Sequence, residues 1–401
     1  MKTIGIIGAG ASGIFAAISL KESHPDAMVI VFEQQANILQ KVKISGGGRC
    51  NVTHACFNYR DLIDFYPRGG KPLLSLFSQF DPNDTIQWFQ DRGVTLITED
   101  DGRMFPNTHS SQTIIDCFIR QIKHHGIAIQ TQKKVTHVHK KNGFHIKFSD
   151  QTQVDCDVLV LTTGSSRNGV QIAQSLGHQI SPQVASLFTF KARHPKLNAL
   201  AGISIQQVKV GINQSHVPEQ FGPLLITHSG FSGPSIIKSS AWGAIELHQK
   251  EYRFTISIHF LPAYTHEQIR HQLIQFKDAN PHKQCQTRSP FAELPLRFWR
   301  FIMHELSIDS LCWKQCTQHH LESMMAYLTH AQFSIDGKNN FKEEFVTAGG
   351  IQLCDIDLKT MQSRHCPNLY FAGEILNIDG VTGGFNFQNA WTTAKQITLS
   401  N

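Results

Sequence analysis

The chain has 401 residues, of which 41% are hydrophobic, and a formal net charge of +6. This length predicts two to three domains, and the lack of any run near roughly 18 uninterrupted apolar residues excludes a membrane-spanning helix. The basic residues are spread along the chain, so the charge permits a nucleic-acid partner but favours a solvated basic face.

The nine cysteines are scattered, odd in number and without a secretory leader, which predicts a protein of the reducing cytoplasm. Lys2 precedes an apolar run, but glycines interrupt that run, so we interpret the N-terminus as mature protein. The 22 histidines lack H-E-x-x-H or paired Cys/His spacing, and we therefore expect no structural metal.

The N-terminus has the pattern of a phosphate-binding turn. A short apolar strand, Thr3–Ile7, leads into Gly8-Ala9-Gly10-Ala11-Ser12-Gly13 and then into a helical pattern. Gly8 allows the tight turn, Gly10 lets the backbone approach a pyrophosphate, and Gly13 lets the helix pack close to the sheet. The free N–H groups and positive dipole of the helix start face the phosphates.

A second apolar strand, Met28–Phe32, ends in Glu33. At this spacing a carboxylate can accept both hydroxyls of an adenosine ribose and would repel a 2′-phosphate. A glycine-rich turn without function is the alternative, because G-x-G-x-x-G alone is weak evidence. The strand before, the helix after and the acid at this distance favour an adenine dinucleotide site.

A glycine run follows in Ile44-Ser45-Gly46-Gly47-Gly48-Arg49-Cys50-Asn51. Three consecutive glycines cannot form a stable helix or strand, so we predict backbone close to a ligand, with Arg49 placed to bind an anion or a ring carbonyl. A flexible solvent loop is the alternative. Cys50 also suggests dithiol chemistry, but Cys56 lies six residues on, at neither spacing of a redox pair, so a buried thiol is favoured.

The next hundred residues predict helices and then strands. The helical patterns lie at 73–80, 85–92 and 113–123. Residues 102–106 are predicted to lie in a turn-rich link. Four β-like runs then predict a β-meander, at 127–129, 135–139, 144–148 and 154–162. The last run leads into Thr163 and Gly164, small residues that let the backbone pass beside a nucleotide.

From about residue 186 the predicted strands no longer alternate with helices in β-α-β order. Short β-like runs appear at 187–192, 203–212, 223–227 and 252–260, and helical patterns at 266–276, 290–306 and 311–329. The stretch from Thr227 to Ser235 contains a Gly-Pro pair that can begin a short helix. A ligand-facing turn and a plain β-to-α connection fit this stretch equally well. The composition indicates an inserted domain, part β and part helical.

The last sixty residues repeat the pattern of the N-terminal segment, in which a strand, an acid and a helix that begins after glycines are found. A strand at 369–372 ends in Gly373 and Glu374, and a closing helix follows Gly383 and Gly384. Glu374 could bind ribityl hydroxyls, and the helix start could stabilise negative charge on a reduced ring. A surface acid and an ordinary helix start are the alternatives.

Together these segments resemble the YhiN/BaiN-like NAD(P)/FAD-dependent oxidoreductases, flavoproteins related in their cofactor domain to glutathione reductase. The resemblance covers nearly the whole chain. It rests on the N-terminal glycine motif with Glu33, on residues 44–51, on residues 227–234, on Thr347-Ala348-Gly349-Gly350 and on residues 373–388.

The resemblance implies FAD held across a split domain, with an inserted domain covering the flavin. It places Glu33 on the adenosine ribose, Glu374 on the ribityl chain, and residues 46–51 and 383–386 close to the isoalloxazine ring. The full set of cofactor-binding residues that we predict is Gly8, Gly10, Ala11, Ser12, Gly13, Glu33, Lys43, Ser45, Gly46, Gly47, Arg49, Cys50, Asn51, Val135, Thr163, Gly164, Gly373, Glu374, Gly383, Gly384, Phe385 and Asn386.

Two positions depart from the family pattern, with Asn377 where Asp is usual and Phe385 where Tyr is usual. Asp379 then becomes the better candidate acid, and the catalytic candidates are Arg49, Asp379 and Asn386. The expected activity is hydride transfer from NAD(P)H through FAD to a small organic substrate, with reduction of a carbon–carbon double bond suggested by the family. An RNA-interacting flavoprotein and a flavin-binding protein without turnover are the alternatives.

The fold class that we predict is α/β. A Rossmann-like FAD-binding domain with a β-meander is interrupted by an inserted α+β domain with a helical part. The expected boundaries are 1–190 for the first part of the FAD-binding domain, 191–344 for the insert and 345–401 for the return segment. No second strand-GxGxxG-helix unit follows, so we expect NAD(P)H to dock transiently rather than in a domain of its own.

Overall fold

A computed structural model describes residues 1–194, 196–339 and 346–399. The chain forms two compact units, the first made of Met1–Val184 with Val346–Asn401 and the second of Ala185–Phe345. The first unit is therefore built from both ends of the chain.

The strands are β1 (Thr3–Ile7), β2 (Met28–Phe32), β3 (Thr53–His54), β4 (Leu96–Thr98), β5 (Arg103–Pro106), β6 (Ala128–Gln130), β7 (Val135–Lys140), β8 (Phe144–Phe148), β9 (Gln153–Cys156), β10 (Val158–Leu161), β11 (Ile180–Ser186), β12 (Phe190–Ala192), β13 (Ser204–Ile212), β14 (Gln220–Thr227), β15 (Gly230–Ser232), β16 (Arg253–His259), β17 (Ala331–Lys338), β18 (Val346–Ile351), β19 (Ile356–Asp357), β20 (Gln362–Ser363) and β21 (Leu369–Phe371). The helices are α1 (Ala11–Ser23), α2 (Gln40–Gly48), α3 (Tyr59–Leu62), α4 (Gly70–Phe77), α5 (Pro82–Gln90), α6 (Ser111–His124), α7 (Arg167–Ser175), α8 (Pro234–Gln249), α9 (His266–Ala279), α10 (Leu296–Glu305), α11 (Gln318–His330) and α12 (Phe385–Lys395).

The first unit is organised on a seven-stranded sheet with the order β19-β20-β21-β10-β1-β2-β6. The strands β21, β10, β1, β2 and β6 run parallel. The side chains of the central strands β1, β10 and β21 are almost all apolar and buried on both faces, as expected for a parallel sheet covered by helices. Because parallel strands end at one edge, the residues that follow β1, β2, β10 and β21 meet there.

The α/β class and the Rossmann-type domain with an inserted β-rich unit are confirmed. The predicted meander is present as β7, β8 and β9, which form an antiparallel sheet of their own. The first predicted run, at 127–129, belongs elsewhere, since β6 pairs with β2. The last run, at 154–162, contains both β9 and β10, and β10 pairs with β1. The prediction of a turn-rich link at 102–106 was wrong, because β5 pairs with both β3 and β4.

Helices α1 and α12 bring the two ends of the chain together. Phe15 of α1 packs against Trp391 of α12 with 5.5 Å between ring centroids, and Trp88 lies 4.6 Å from Phe15. The indole N–H of Trp391 donates to the Val52 carbonyl oxygen at 2.9 Å. The return segment is therefore part of the core on which the first β-α-β unit folds.

The second unit contains a closed barrel with the strand order β12-β15-β14-β13-β16-β17, accompanied by helices α8 to α11. The Gly-Pro pair begins a helix, as predicted, but α8 runs for 16 residues rather than a short stretch. The predicted helices at 290–306 and 311–329 start too early. Pro295 caps α10 in an extended conformation and Thr317 caps α11, so the residues before them lie outside these helices.

Within the described ranges, no three His, Cys, Asp or Glu side chains converge as ligands for a metal ion. The described helices include none that is both long and apolar enough to cross a membrane.

Asp355 gives the first unit a pH-dependent contact. It is almost fully buried, and it accepts hydrogen bonds from the His365 ring at 3.0 Å and from the Gln179 N–H at 2.6 Å. Burial by itself would raise the pKa of this carboxyl group, but the hydrogen bonds and the charge of His365 hold the pKa below its usual value.

We expect the stability advantage of wild type over Asp355→Asn to depend on pH. A carboxyl group with a depressed pKa stabilises the fold fully above its unfolded-state pKa of about 3.9, and this stabilisation is lost as the pH falls through the folded-state value. Urea denaturation of both proteins, from neutral pH down to about pH 3, measures the difference in the free energy of unfolding. An advantage that stays constant over this range would contradict the assignment.

Candidate active site

The glycine turn after β1 is shaped by close backbone contacts. Gly8 has a φ of 106° and Gly13 lies against it, so that a Cβ on Gly13 would come within 1.9 Å of the Gly8 carbonyl oxygen. Gly10 differs, since no described atom lies within 4 Å of a Cβ built there. Two of the glycines therefore close the turn, and the third leaves open space in front of the start of α1.

Glu33 lies beside this turn, as the sequence predicted. One carboxylate oxygen accepts the Ala9 N–H at 2.9 Å and the other accepts the Gln35 N–H at 2.8 Å. These bonds fix the carboxylate at the end of β2, and the residue is partly exposed. The geometry fits a carboxylate that binds the two hydroxyls of a ribose.

Glu374 lies at the same edge, after β21. Its Oε1 accepts the Thr347 N–H at 3.0 Å, and its Oε2 forms an ion pair with Lys41 Nζ at 2.7 Å. A Cβ on Gly164 would lie 3.4 Å from the same Oε2, so two sequence-predicted positions are brought together here. Lys41 also reaches Ser165 Oγ at 3.4 Å.

Lys41 was not predicted, whereas Lys43 was. The Lys43 side chain is exposed, and its carbonyl oxygen accepts a hydrogen bond from Ser111. The two lysines lie on different faces of α2, and the register of that helix is set by its start at Gln40. The sequence did predict a lysine near the cofactor, since a lysine close before the glycine run suits an anionic ligand. It did not indicate whether this lysine is Lys41 or Lys43.

The glycine run breaks α2, which confirms that these residues cannot continue a helix. Ser45 has a ψ of 150°, and Gly46 and Gly47 have φ angles of 57° and 68°. Arg49 follows, with its guanidinium 4.0 Å from the centroid of the Phe105 ring and Nη1 2.6 Å from Glu99 Oε1. Its side chain is one-third exposed, so it can still meet a ligand while Glu99 fixes its direction.

Cys50 is buried, and burial raises the pKa of its thiol to about 12. The pKa of the Cys56 thiol is also raised, chiefly by burial. Neither thiol is suited to form a thiolate at neutral pH, which agrees with the argument from spacing against dithiol chemistry.

The two segments expected near the flavin ring are in contact. A Cβ on Gly384 would lie 2.9 Å from the Asn51 side-chain oxygen and 2.5 Å from the Thr53 carbonyl oxygen. Gly384 has a φ of 98° and caps α12, so the start of that helix lies against the end of the glycine run. Phe385 stacks on His54 with 4.6 Å between ring centroids.

Two of the three catalytic candidates hold this segment together. Asp379 is fully buried in a two-bond ion pair with Arg68. The Asn386 amide donates to the Gly380 carbonyl oxygen at 2.8 Å and accepts the Gly380 N–H at 2.9 Å. The third candidate, Arg49, has a side chain that is one-third exposed.

The remaining predicted positions line the same unit. Ser12 packs against Gly373, where a Cβ would lie 2.5 Å from the Ser12 hydroxyl oxygen. Val135 begins β7 and its carbonyl oxygen accepts a hydrogen bond from Asn168. Thr163 follows β10 and packs against Gly169 of α7.

The order of these groups along the edge of the sheet is the main geometric result. Glu33, the glycine turn, Gly164 and Glu374 follow β2, β1, β10 and β21, which are consecutive neighbours in the sheet. With about 4.8 Å between strands, the two acids are separated by on the order of 14 Å along this edge. That span suits an extended dinucleotide whose pyrophosphate lies at the start of α1.

This fold and this edge define the class of FAD-dependent oxidoreductases with a Rossmann-type cofactor domain. The chain belongs to the family described as HI0933-like protein Rossmann domain, which matches residues 2–399. The resemblance to YhiN/BaiN-like proteins found in the sequence is thereby confirmed.

Named relatives match nearly the whole chain. A 3-dehydro-bile acid delta(4,6)-reductase of Clostridium scindens is 27% identical over 98% of this chain and 97% of its own length. A ribosomal RNA dihydrouridine synthase of Escherichia coli is 28% identical over 97% of this chain and 95% of its own length. A protein of the same name from Haemophilus influenzae is also 28% identical, over 98% of this chain and 97% of its own length.

Solved structures share the fold at low identity. A 3-ketosteroid-delta4-(5alpha)-dehydrogenase of Rhodococcus jostii has a TM-score of 0.51 at 10% identity, covering 98% of this chain and 96% of its own. The open conformation of a flavocytochrome c3 fumarate reductase has a TM-score of 0.50 at 13% identity, covering 98% of this chain and 77% of its own.

Lys41→Met is expected to weaken FAD binding by roughly tenfold, which corresponds to about 1.4 kcal/mol. Without the ammonium group, the Glu374 carboxylate would face an anionic cofactor uncompensated. Lys43→Met is the matched control, because both lysines are exposed and it removes the same charge from the same helix on a different face from the Glu374 contact. It should change the dissociation constant by less than about twofold. Fluorescence titration of the apoprotein with FAD measures both, and equal effects would contradict the role of Lys41.

Proposed function

We propose that this protein reduces a carbon–carbon double bond conjugated to a carbonyl group in a ring, with FAD as cofactor and NAD(P)H as reductant. When bound, FAD would supply the hydride-transfer chemistry, with NAD(P)H as the proposed source of the hydride. The relatives support this reaction, because their names describe loss of double bonds from a bile acid and formation of dihydrouridine, which is uridine with its ring double bond saturated.

The observation that carries the proposal is the order of Glu33, the glycine turn, Gly164 and Glu374 along one edge of the sheet. In this arrangement Glu33 binds the adenosine ribose, the start of α1 binds the pyrophosphate and Glu374 binds the ribityl chain. Glycines 46–47 and the start of α12 then face the ring. The positive end of α12 stabilises negative charge there.

Arg49 is proposed to bind the carbonyl oxygen of the substrate or the negative charge of the reduced ring. A guanidinium group does not release its proton in proteins, so Arg49 acts through charge and hydrogen bonding rather than as the acid. Glu99 holds Nη1 at 2.6 Å and sets the direction of the group.

NAD(P)H is proposed to bind transiently, since the sequence has no second strand-GxGxxG-helix unit. Anaerobic mixing of the FAD-loaded protein with NADH, and separately with NADPH, measures the rate of flavin bleaching. We expect at least one of the two to bleach the flavin within seconds, on the scale of ordinary enzyme turnover. Bleaching by dithionite alone would contradict NAD(P)H as the donor.

The first candidate substrate is a small ring compound with a double bond conjugated to a ketone, such as a 3-oxo-4,6-diene steroid. The anaerobically reduced protein is mixed with the steroid, and the return of oxidised flavin is followed together with the mass of the product. The expected result is one product molecule, heavier by two hydrogens, per flavin reoxidised.

The second candidate substrate is uridine within ribosomal RNA. It is favoured by two of the named relatives and is compatible with the net charge of +6. An unmodified ribosomal RNA transcript replaces the steroid in the same experiment, and dihydrouridine is detected by mass spectrometry of the digested RNA. Binding of this transcript should weaken steeply with salt if phosphate contacts contribute. Reoxidation by neither compound, with oxygen excluded, would contradict the proposed reaction for both.

A further inference from the structure

Two cysteines of the second unit lie in contact although they are far apart in sequence. The Sγ atoms of Cys285 and Cys316 are 3.2 Å apart, and the residues are separated by 31 positions. Both are almost completely buried, with 0% and 2% of their surface exposed. A disulfide bond is about 2.0 Å long, so the sulfur atoms are about 1.2 Å from bonding distance.

The backbone on both sides of the pair is held by hydrogen bonds. The Cys285 N–H donates to the Leu311 carbonyl oxygen at 2.9 Å, and the Trp313 N–H donates to the Lys283 carbonyl oxygen at 3.0 Å. The Trp299 indole donates to the Cys285 carbonyl oxygen at 2.8 Å. These contacts join the segment before α10 to the segment before α11, and therefore keep the two sulfur atoms together.

We propose that Cys285 and Cys316 form an oxidisable dithiol, a site of reversible disulfide formation in the inserted unit that is separate from the flavin chemistry. The co-reactant is a low-molecular-weight disulfide such as oxidised glutathione. Two S–H bonds break and one Sγ–Sγ bond forms, and the co-reactant takes up two electrons and two protons to give two free thiols.

The surroundings of Cys316 favour it as the attacking thiol. The hydrogen bond from the Cys285 thiol and the positive charge of Lys277 lower the pKa of Cys316 below its usual value, against the effect of burial. Lys277 Nζ is held at this position by a 2.6 Å hydrogen bond to the Cys316 carbonyl oxygen. A thiolate is the form that attacks a disulfide, so these contacts support the reaction.

Cys312 is the competing partner, because it is half-buried and its residue forms an isolated β-bridge with Gln284, the neighbour of Cys285. The Cys312 sulfur accepts a hydrogen bond from the Gln315 N–H, whereas the Cys285 sulfur touches that of Cys316. A pair made of two core cysteines that merely pack together is the other alternative, and it predicts no oxidation at all.

The test uses the full-length, FAD-loaded protein, incubated first with dithiothreitol and then with oxidised glutathione. Thiols are counted after denaturation, and disulfides are located by mass spectrometry of a non-reducing digest. We expect the nine thiols of the reduced protein to fall by at least two, with one peptide pair joining Cys285 to Cys316, because an exposed thiol such as Cys354 can in addition form a mixed disulfide with glutathione. Dithiothreitol should restore nine. A count that stays at nine, or a disulfide that joins Cys312 to either residue, would overturn the proposal.

Three variants sharpen the result. Cys312→Ser should still lose at least two thiols and yield the same peptide pair. Cys285→Ala and Cys316→Ala should each form no disulfide between two cysteines of the chain, and Cys316 in Cys285→Ala should instead end as a mixed disulfide with glutathione. If either alanine variant fails to fold, the peptide map of Cys312→Ser decides the question by itself, since it contains both proposed partners and lacks the competitor.

Discussion

Replacement of Gly13 by alanine is expected to lower the free energy of unfolding of the first unit by about 3 kcal/mol. The added Cβ would lie 1.9 Å from the Gly8 carbonyl oxygen and 2.7 Å from the Thr162 hydroxyl oxygen. The first of these atoms is backbone at the end of a buried strand, so it cannot move aside without opening the turn. Urea denaturation of the apoprotein measures the loss.

Gly10→Ala is the matched control, because it adds the same methyl group three residues earlier. No described atom lies within 4 Å of that Cβ, so the fold should keep its stability to within about 0.5 kcal/mol. The methyl group would instead occupy the space where the pyrophosphate is proposed to approach, and FAD affinity should fall by at least roughly tenfold. Unaltered FAD binding by Gly10→Ala would contradict a pyrophosphate at this turn.

Asp379→Asn is expected to destabilise the first unit by about 3 to 5 kcal/mol, because it leaves the partly buried guanidinium of Arg68 without its charged partner. Asp379 is fully buried, and 11% of the Arg68 side chain is exposed. The ion pair joins positions 311 residues apart, so it ties the return segment to the first part of the unit. Urea denaturation of wild type and variant, without FAD, gives the difference.

Asp336→Asn provides the comparison for an exposed pair. Asp336 pairs with Arg193 and Arg253, whose side chains are 76% and 72% exposed, and solvent screening should limit the loss to less than about 1 kcal/mol. If Asp379 were the acid of the reaction instead, Asp379→Asn would fold as stably as wild type and would lose turnover alone. That pattern would contradict a structural role for the pair.

The sequence was informative where function depends on local backbone. Gly8, Gly13 and Glu33 lie within one β-α-β unit, so their spacing alone predicted the turn and the acid beside it. Glu374 was predicted in the same way, from a strand that ends in an acid. The glycine run at 46–48 was recognised because no regular structure accommodates it.

The residues that complete the site were missed because their partners are distant in sequence. Lys41 and Glu374 are 333 residues apart, and the pairing of Arg49 with Glu99 spans 50 residues. No local pattern connects such positions, since their contact depends on the packing of the whole unit. Closure of the barrel was missed for the same reason, because β12 must pair with both β15 and β17.

The central claim is that one FAD is bound by both ends of the chain, through Glu33 after β2 and Glu374 after β21. Titration of apoprotein with FAD, for wild type, Glu33→Ala and Glu374→Ala, tests this claim most directly. The account predicts one FAD per chain for wild type and affinities at least roughly tenfold weaker for each variant. Absence of FAD binding by wild type, or wild-type affinity in Glu374→Ala, would contradict it.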